Sequence, residues 1–268
     1  MTPSGTGAPP TARAADAIVV GIGELGGIFA KGLLRTGHRV TPVGRSSTLS
    51  AALERTPGAD PIVVAVGEAE LPAILQAAPS ACHGRLVLLQ NELLPASWSF
   101  LEAAPTVASV WFEKKPGKPV HPIRSTPISG PRAEPITRAL SSLGLPAHVV
   151  DAESMVEALV LKNLYILTAN VAGLVASAGT TTGALWNEHR DLALPIAKDV
   201  LTLQRSLVGP EAGAKLDGQA LLDELGAAFL DDPKHGARGR SAPARLQRAL
   251  GQARELGLTL PALAQVAP

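Results

Sequence analysis

"AIVVGIGELGGIFAKGLLRTGHRV", residues 17–40, is the stretch whose reading decides the fold. A short β-branched run ends in glycine, and Gly21-x-Gly23-x-x-Gly26 leads directly into apolar residues at helical spacing. Each glycine meets a different steric demand. Gly21 permits a tight turn, Gly23 lets backbone approach a pyrophosphate, and Gly26 allows helix and strand to pack closely. A helix opening here presents unbonded N–H groups, with Glu24 and Leu25 in its first turn. Gly21, Gly23, Glu24, Leu25 and Gly26 are therefore candidate cofactor-binding residues. The alternative is a glycine-rich turn in the same kind of fold that binds no nucleotide.

Immediately downstream, "VTPVGRSS" lacks the Asp or Glu that would accept hydrogen bonds from an adenosine ribose. Arg45 stands there instead, and a guanidinium pairs with a 2′-phosphate through forked, charge-assisted hydrogen bonds, with Ser46 or Ser47 adding hydroxyl donors. The expected cofactor is NADP(H) rather than NAD(H). A solvated surface arginine is the competing account.

Working outward, short apolar runs alternate with helical stretches as far as about Val150: "RVTPV", "PIVVAV", "EAELPAILQAA" and "RLVLLQ". Continuous apolar strands separated by helices imply a parallel sheet buried on both faces. "TVASVWFEK", "KPVHPIRST" and "AHVVD" read as further strands, the turn "KKPGK" allowing an antiparallel pair. After Asp151 strand signals nearly vanish, and long stretches carry helix-compatible spacing. The expected fold is α/β: an N-terminal Rossmann-type doubly wound sheet followed by an all-helical C-terminal domain. The expected divisions are a flexible tail over 1–16, an NADP-binding domain over 17–150 and a helical substrate domain over 151–268.

Composition narrows the partners. Hydrophobic residues make up 46% of the 268 against 18% charged, which fits a globular fold, and only 3% are aromatic, so aliphatic side chains must fill the core. A formal charge of +1 without a basic block gives no reason to expect nucleic acid or anionic lipid. No signal-peptide pattern or bilayer-length apolar run is evident, so a cytoplasmic protein, monomer or homodimer, with a small-molecule substrate is expected. Cys82 is the lone cysteine and reads as a core residue. No metal site is expected, since neither His38 nor His189 has a second ligand at metal-binding spacing.

"GIGELGG", "TGHRVTPVGR", "VLLQNELLP", "ISGP", "LKNLYILTAN" and "TTGALWNEH", in that order, resemble the ketopantoate reductase family from Ala17 to about Pro261. The resemblance implies a Rossmann domain, a helical domain and a cleft between them, with NADPH reducing the ketone of a 2-oxo acid. It places Lys162 on the family's catalytic lysine, the proton donor to the carbonyl oxygen. Asn170 falls on a substrate-contacting asparagine, and Asn91 on the asparagine near nicotinamide and substrate. Three positions depart from the pattern. Gly67 and Glu68 stand where a lysine is expected, Ser241 where an acidic substrate-binding residue is expected, and Ile166 in place of a second asparagine. Without the acid, ketopantoate loses its recognition, and Ile166 points to a less polar carbonyl compound or an imine.

Lys162, Ile166 and Asn170 are each one helical turn apart and can line one groove. An ammonium there can hydrogen-bond a substrate carbonyl and stabilise the charge that hydride delivery creates, and desolvation would ease its deprotonation. A snorkelling lysine is the plain alternative, and Asn91 reads equally well as a capping amide. Arg238 and Arg240 belong to a basic segment that reads as a solvated loop. The reading is thus an NADP-dependent oxidoreductase acting on C=O, or on C=N. Its alternatives are an imine reductase, a 3-hydroxyacid dehydrogenase-type enzyme, or a non-catalytic NADP(H)-binding protein.

Overall fold

Ala17, Ile18, Val19 and Val20 are all buried, as a continuous apolar run in the middle of a two-sided sheet requires. The computed structural model describes residues 15–266 and opens that strand one residue earlier, as β1 (Asp16–Val20). Of the tail expected over 1–16, residues 1–14 lie outside the described residues, while Asp16 already pairs in register with Arg39.

The N-terminal elements continue with α1 (Glu24–Arg35), β2 (Arg39–Val43), α2 (Leu49–Arg55), β3 (Ile62–Val64), α3 (Leu71–Ala77), β4 (Leu86–Leu88) and β5 (Thr106–Ala108). Then come β6 (Phe112–Glu113), β7 (His121–Pro122), β8 (Thr126–Ser129), α4 (Ala133–Ser141) and β9 (Ala147–Val149). From there the described chain is helical: α5 (Ala152–Val175), α6 (Thr182–Asn187), α7 (Arg190–Leu207), α8 (Pro210–Lys215), α9 (Gly218–Asp231), α10 (Ala242–Glu255) and α11 (Pro261–Val266).

The main sheet runs β2-β1-β3-β4-β5-β8-β9. Its first five strands are parallel, β8 is antiparallel to β5, and β9 is parallel to β8. β6 leaves this sheet and pairs antiparallel with β7, the arrangement that "KKPGK" allowed. Because the chain moves outward from β1 to β2 and then crosses back to β3, the strand order reverses at β1. A ligand crevice is expected just beyond the carboxyl ends of the strands there. The turns after β1, β3 and β4 all open into it.

Alternation along the strands divides the core. Ala17, Val19, Val63 and Val87 pack with Phe29 and Leu33 of α1 and Ile136 and Leu140 of α4. Ile18, Val20, Ile62, Val64, Leu86 and Leu88 face the other way, toward α2 and α3. That second face does not end with the sheet. Its core continues through Leu93, Leu94 and Trp111 into α5 and on to Phe229 of α9.

α5 explains why the helical half assembles. Asp151 caps it by accepting a hydrogen bond from the Ser154 amide at 2.7 Å. Residues 163–173 are then buried without a break, which only a helix surrounded by others can sustain. By length and composition α5 alone among the described helices could cross a bilayer. Here α7, α9, α10 and α11 take up its surface. Cys82 is fully buried, and burial pushes its thiol up, consistent with a core residue.

Candidate active site

The glycine turn has the form its sequence demands. Gly21 lies at φ +83°, and a Cβ there would stand 2.5 Å from the Ala65 carbonyl oxygen. A Cβ on Gly26 would stand 1.8 Å from the Gly21 carbonyl oxygen, so any side chain would force helix and turn apart. Around Gly23 nothing lies within 4 Å of the corresponding point, and this N-cap position of α1 carries no side-chain cap. The first helical N–H groups therefore face open space, as an anion-binding helix start requires. Glu24 is the one feature there unfavourable to a phosphate, and Lys114 neutralises it at 2.7 Å. Leu25 is half-buried behind the turn.

Arg45 and Ser46 follow β2 and are exposed. Among the described residues Arg45 has no hydrogen-bond or ion-pair partner, so its guanidinium is available to a ligand. The residues present fit a dinucleotide with a 2′-phosphate at this edge.

Lys162 sits in the middle of α5, its ammonium 4.1 Å from the centroid of the Trp111 ring and 5.5 Å from that of Tyr165. Arg124 lies 5.6 Å from the same indole. No carboxylate pairs with Lys162 among the described residues. Burial, followed by the positive charge of Arg245, lowers its pKa from 10.5 to about 7. An aromatic face attracts the ammonium but restores only part of what water would give it. Tyr165, in contrast, holds its proton, because burial and the nearby Asp232 and Glu113 push its phenol up.

Asn170 directly, and Asn91 through Glu68, meet at Arg245, a side chain of α10 that is 9% exposed. Its Nε donates to Glu92 Oε1 at 2.8 Å, its Nη1 to Asn170 Oδ1 at 3.2 Å and its Nη2 to Glu68 Oε1 at 2.7 Å. The same Glu68 oxygen accepts from Asn91 Nδ2 at 3.0 Å. Burial would raise the Glu68 carboxyl, but the Asn91 amide and the Arg245 charge outweigh it and hold the group below its ordinary value. Arg248 grips Glu92 as a fork, at 2.6 and 3.0 Å. Glu92 has φ +62°, a left-handed conformation uncommon outside glycine, and these bonds hold it there.

The structure thus links Asn91 and Asn170 through Glu68 and Arg245, with Lys162 within the field of the same guanidinium. Ile166 is 7% exposed and packs in the apolar core. Ser241 does not join the group. It is exposed at the N-cap position of α10, and the α10 side chain that reaches Asn170 comes one turn later, at Arg245. Sequence reading passed over Arg245, Glu92 and Trp111. One signal was present: Ala242, Arg245, Leu246, Ala249 and Ala253 form the buried stripe of α10, and an arginine within an apolar stripe needs a partner.

No family model matches the sequence, and no curated protein matches it. Solved structures do. A PanE/ApbA family ketopantoate reductase from Ralstonia eutropha JMP134 is 19% identical, with a TM-score of 0.66, covering 94% of this chain and 95% of that one. A D-mandelate dehydrogenase solved with NADH is 15% identical, with a TM-score of 0.64, covering 94% of this chain and 96% of that one. A dimeric ketopantoate reductase from Staphylococcus aureus is 15% identical, with a TM-score of 0.61 and the same coverage. Likeness over nearly the full length of both chains, at such low identity, establishes architecture: this chain has the fold of the ketopantoate reductases.

Proposed function

We propose that the chain is an NADPH-dependent reductase that converts the carbonyl of a small 2-oxo acid or related ketone to an alcohol. Residues 17–150 would hold the cofactor and 151–268 would close over the substrate. Gly21, Gly23, Glu24, Leu25 and Gly26 would receive the pyrophosphate on backbone amides, and Arg45 and Ser46 the 2′-phosphate. Bound NADPH supplies the hydride. Lys162 Nζ would give the carbonyl oxygen a proton as negative charge develops on it. Asn91 orients substrate from the sheet side and Asn170 from the helical side.

The observation that carries this reading is the unpaired Lys162 ammonium, poised near neutrality where the helical half meets the carboxyl ends of the strands. The similar D-mandelate dehydrogenase bound NADH, but here Arg45 stands where NADH would be served by a carboxylate, which favours the phosphorylated cofactor.

The test follows NADPH and NADH oxidation with a panel of 2-oxo acids, neutral ketones and imines. Lys162→Ala should lose at least about a hundredfold in kcat on the best substrate, the scale of general acid catalysis. Arg45→Ala should raise KM for NADPH and leave that for NADH unchanged. Equal turnover by wild type and Lys162→Ala would remove the lysine from the chemistry, and an unaltered cofactor preference in Arg45→Ala would remove the 2′-phosphate assignment.

A further inference from the structure

Arg245 is bonded to two carboxylates and an amide, yet it lies close enough to Lys162 for its charge to act on that ammonium. Its partners are not held equally. Glu92 is fixed by the Arg248 fork as well, and its side chain is 18% exposed. Glu68 is 30% exposed, stands in the turn after β3, and keeps only Arg245 and the Asn91 amide. Of the two carboxylates, Glu68 is the one that can swing into water at small cost.

We infer that Arg245 is the residue that grips the substrate's carboxylate, Glu68 holding that position in the free protein and yielding it on binding. The inference rests on the reductase reading and narrows it to compounds with a carboxylate beside the carbonyl. Guanidinium and carboxylate match as forked partners, and Nη2 is the donor that Glu68 releases. Lys162 then faces the adjacent carbonyl oxygen. Charge favours the same exchange. Arg245 and Arg248 pair with Glu68 and Glu92, while a protonated Lys162 feels the Arg245 charge and has no carboxylate partner of its own among the described residues, so an incoming monoanion balances the group whereas a neutral ketone does not. A free amine or iminium would add to the excess positive charge.

The probe is oxamate, an unreactive carboxylate shaped like a 2-oxo acid, with neutral oxamide as control, titrated calorimetrically into protein with NADP⁺ present. Oxamate should bind at least about tenfold more tightly than oxamide, and Arg245→Gln should lose at least about tenfold for oxamate alone, the scale of one charged hydrogen bond. Arg245→Lys should recover part of the loss. Glu68→Gln should bind oxamate more tightly than wild type, a gain that misfolding cannot produce. No oxamate binding by wild type, unchanged affinity in Arg245→Gln, or weaker binding in Glu68→Gln overturns the inference. Turnover separates it from the broader reading. Oxamate binding that depends on Arg245, with no 2-oxo acid reduced, keeps the carboxylate site and ends the reductase proposal. Equal reduction of 2-oxo acids and neutral ketones by wild type and Arg245→Gln does the reverse.

Discussion

At the scale of the residue, Lys162 sets two pH trends of opposite sign. In the unfolded chain its amine titrates at the ordinary 10.5, in the folded protein at about 7. Below about 7 both states carry the proton, and the folded state bears the full cost of a poorly solvated charge beside Arg245 of α10. Between the two values the unfolded chain binds more protons, so stability rises with pH across that window. Lys162→Met should therefore stabilise the protein by about 2–4 kcal/mol at pH 6 and by little at pH 10, as read by denaturant unfolding. Equal gains at both pH values would mean that the amine is not desolvated. Activity runs the other way. Only the ammonium can donate a proton, so kcat/KM for carbonyl reduction should fall as pH rises through about 7, and Lys162→Ala should lose that dependence. Lys162, Asn91 and Asn170 came into view through the family resemblance, helical spacing adding only that Lys162 and Asn170 lie two turns apart along one helix. Arg245 did not, since its partners are distant in sequence and only the fold brings Glu68, Glu92 and Asn170 to it.

At the scale of the element, the β1–α1 turn divides its glycines by what stands over them. A methyl on Gly26 meets the Gly21 carbonyl oxygen at 1.8 Å, and backbone on both sides cannot give way. Gly26→Ala should cost about 2 kcal/mol or more and disturb the phosphate cradle. Gly27, the next residue in the same helix, is exposed with nothing within 4 Å of that position. Gly27→Ala should stabilise by about 0.4–1 kcal/mol, because it restricts the unfolded chain without touching the folded one. Thermal unfolding of the two variants should move in opposite directions, and a shift in the same direction would contradict the packing described for the turn. The strands of this half could be read in advance because β3, β4 and β1 after Asp16 are buried on both faces and so must be apolar at every buried position. α2 and α4 were harder. They have only seven and nine residues, about two turns each, although α4 does carry a buried stripe of Ala133, Ile136, Ala139 and Leu140 at helical spacing. The departure of β6 from the main sheet was equally hidden. It depends on Trp111 turning toward α5, where the Tyr165 ring meets it edge-on at 5.2 Å, a contact no local pattern encodes.

At the scale of the whole molecule, the change from α/β to helical sequence near Asp151 suggests two units, and a chain of this length commonly unfolds in stages. The packing argues otherwise. Ile18 and Leu88 on one sheet face belong to the same buried cluster as Leu164 of α5 and Phe229 of α9, so neither half closes its core alone. The Glu68, Glu92 and Arg245 contacts cross the same junction, but they are polar and partly exposed, and contribute less than the apolar area beside them. Cooperativity should therefore follow the shared core. Denaturant unfolding should be one transition, with helical circular dichroism coinciding with tryptophan fluorescence, which reports on Trp98 in the N-terminal half, Trp111 at the junction and Trp186 in α6. Leu164→Ala, at a fully buried position, should lower stability by about 2–5 kcal/mol and move both signals together. If the helical signal moved while a separate transition kept its wild-type midpoint, the two halves would be independent folding units and the continuous core would have no energetic meaning.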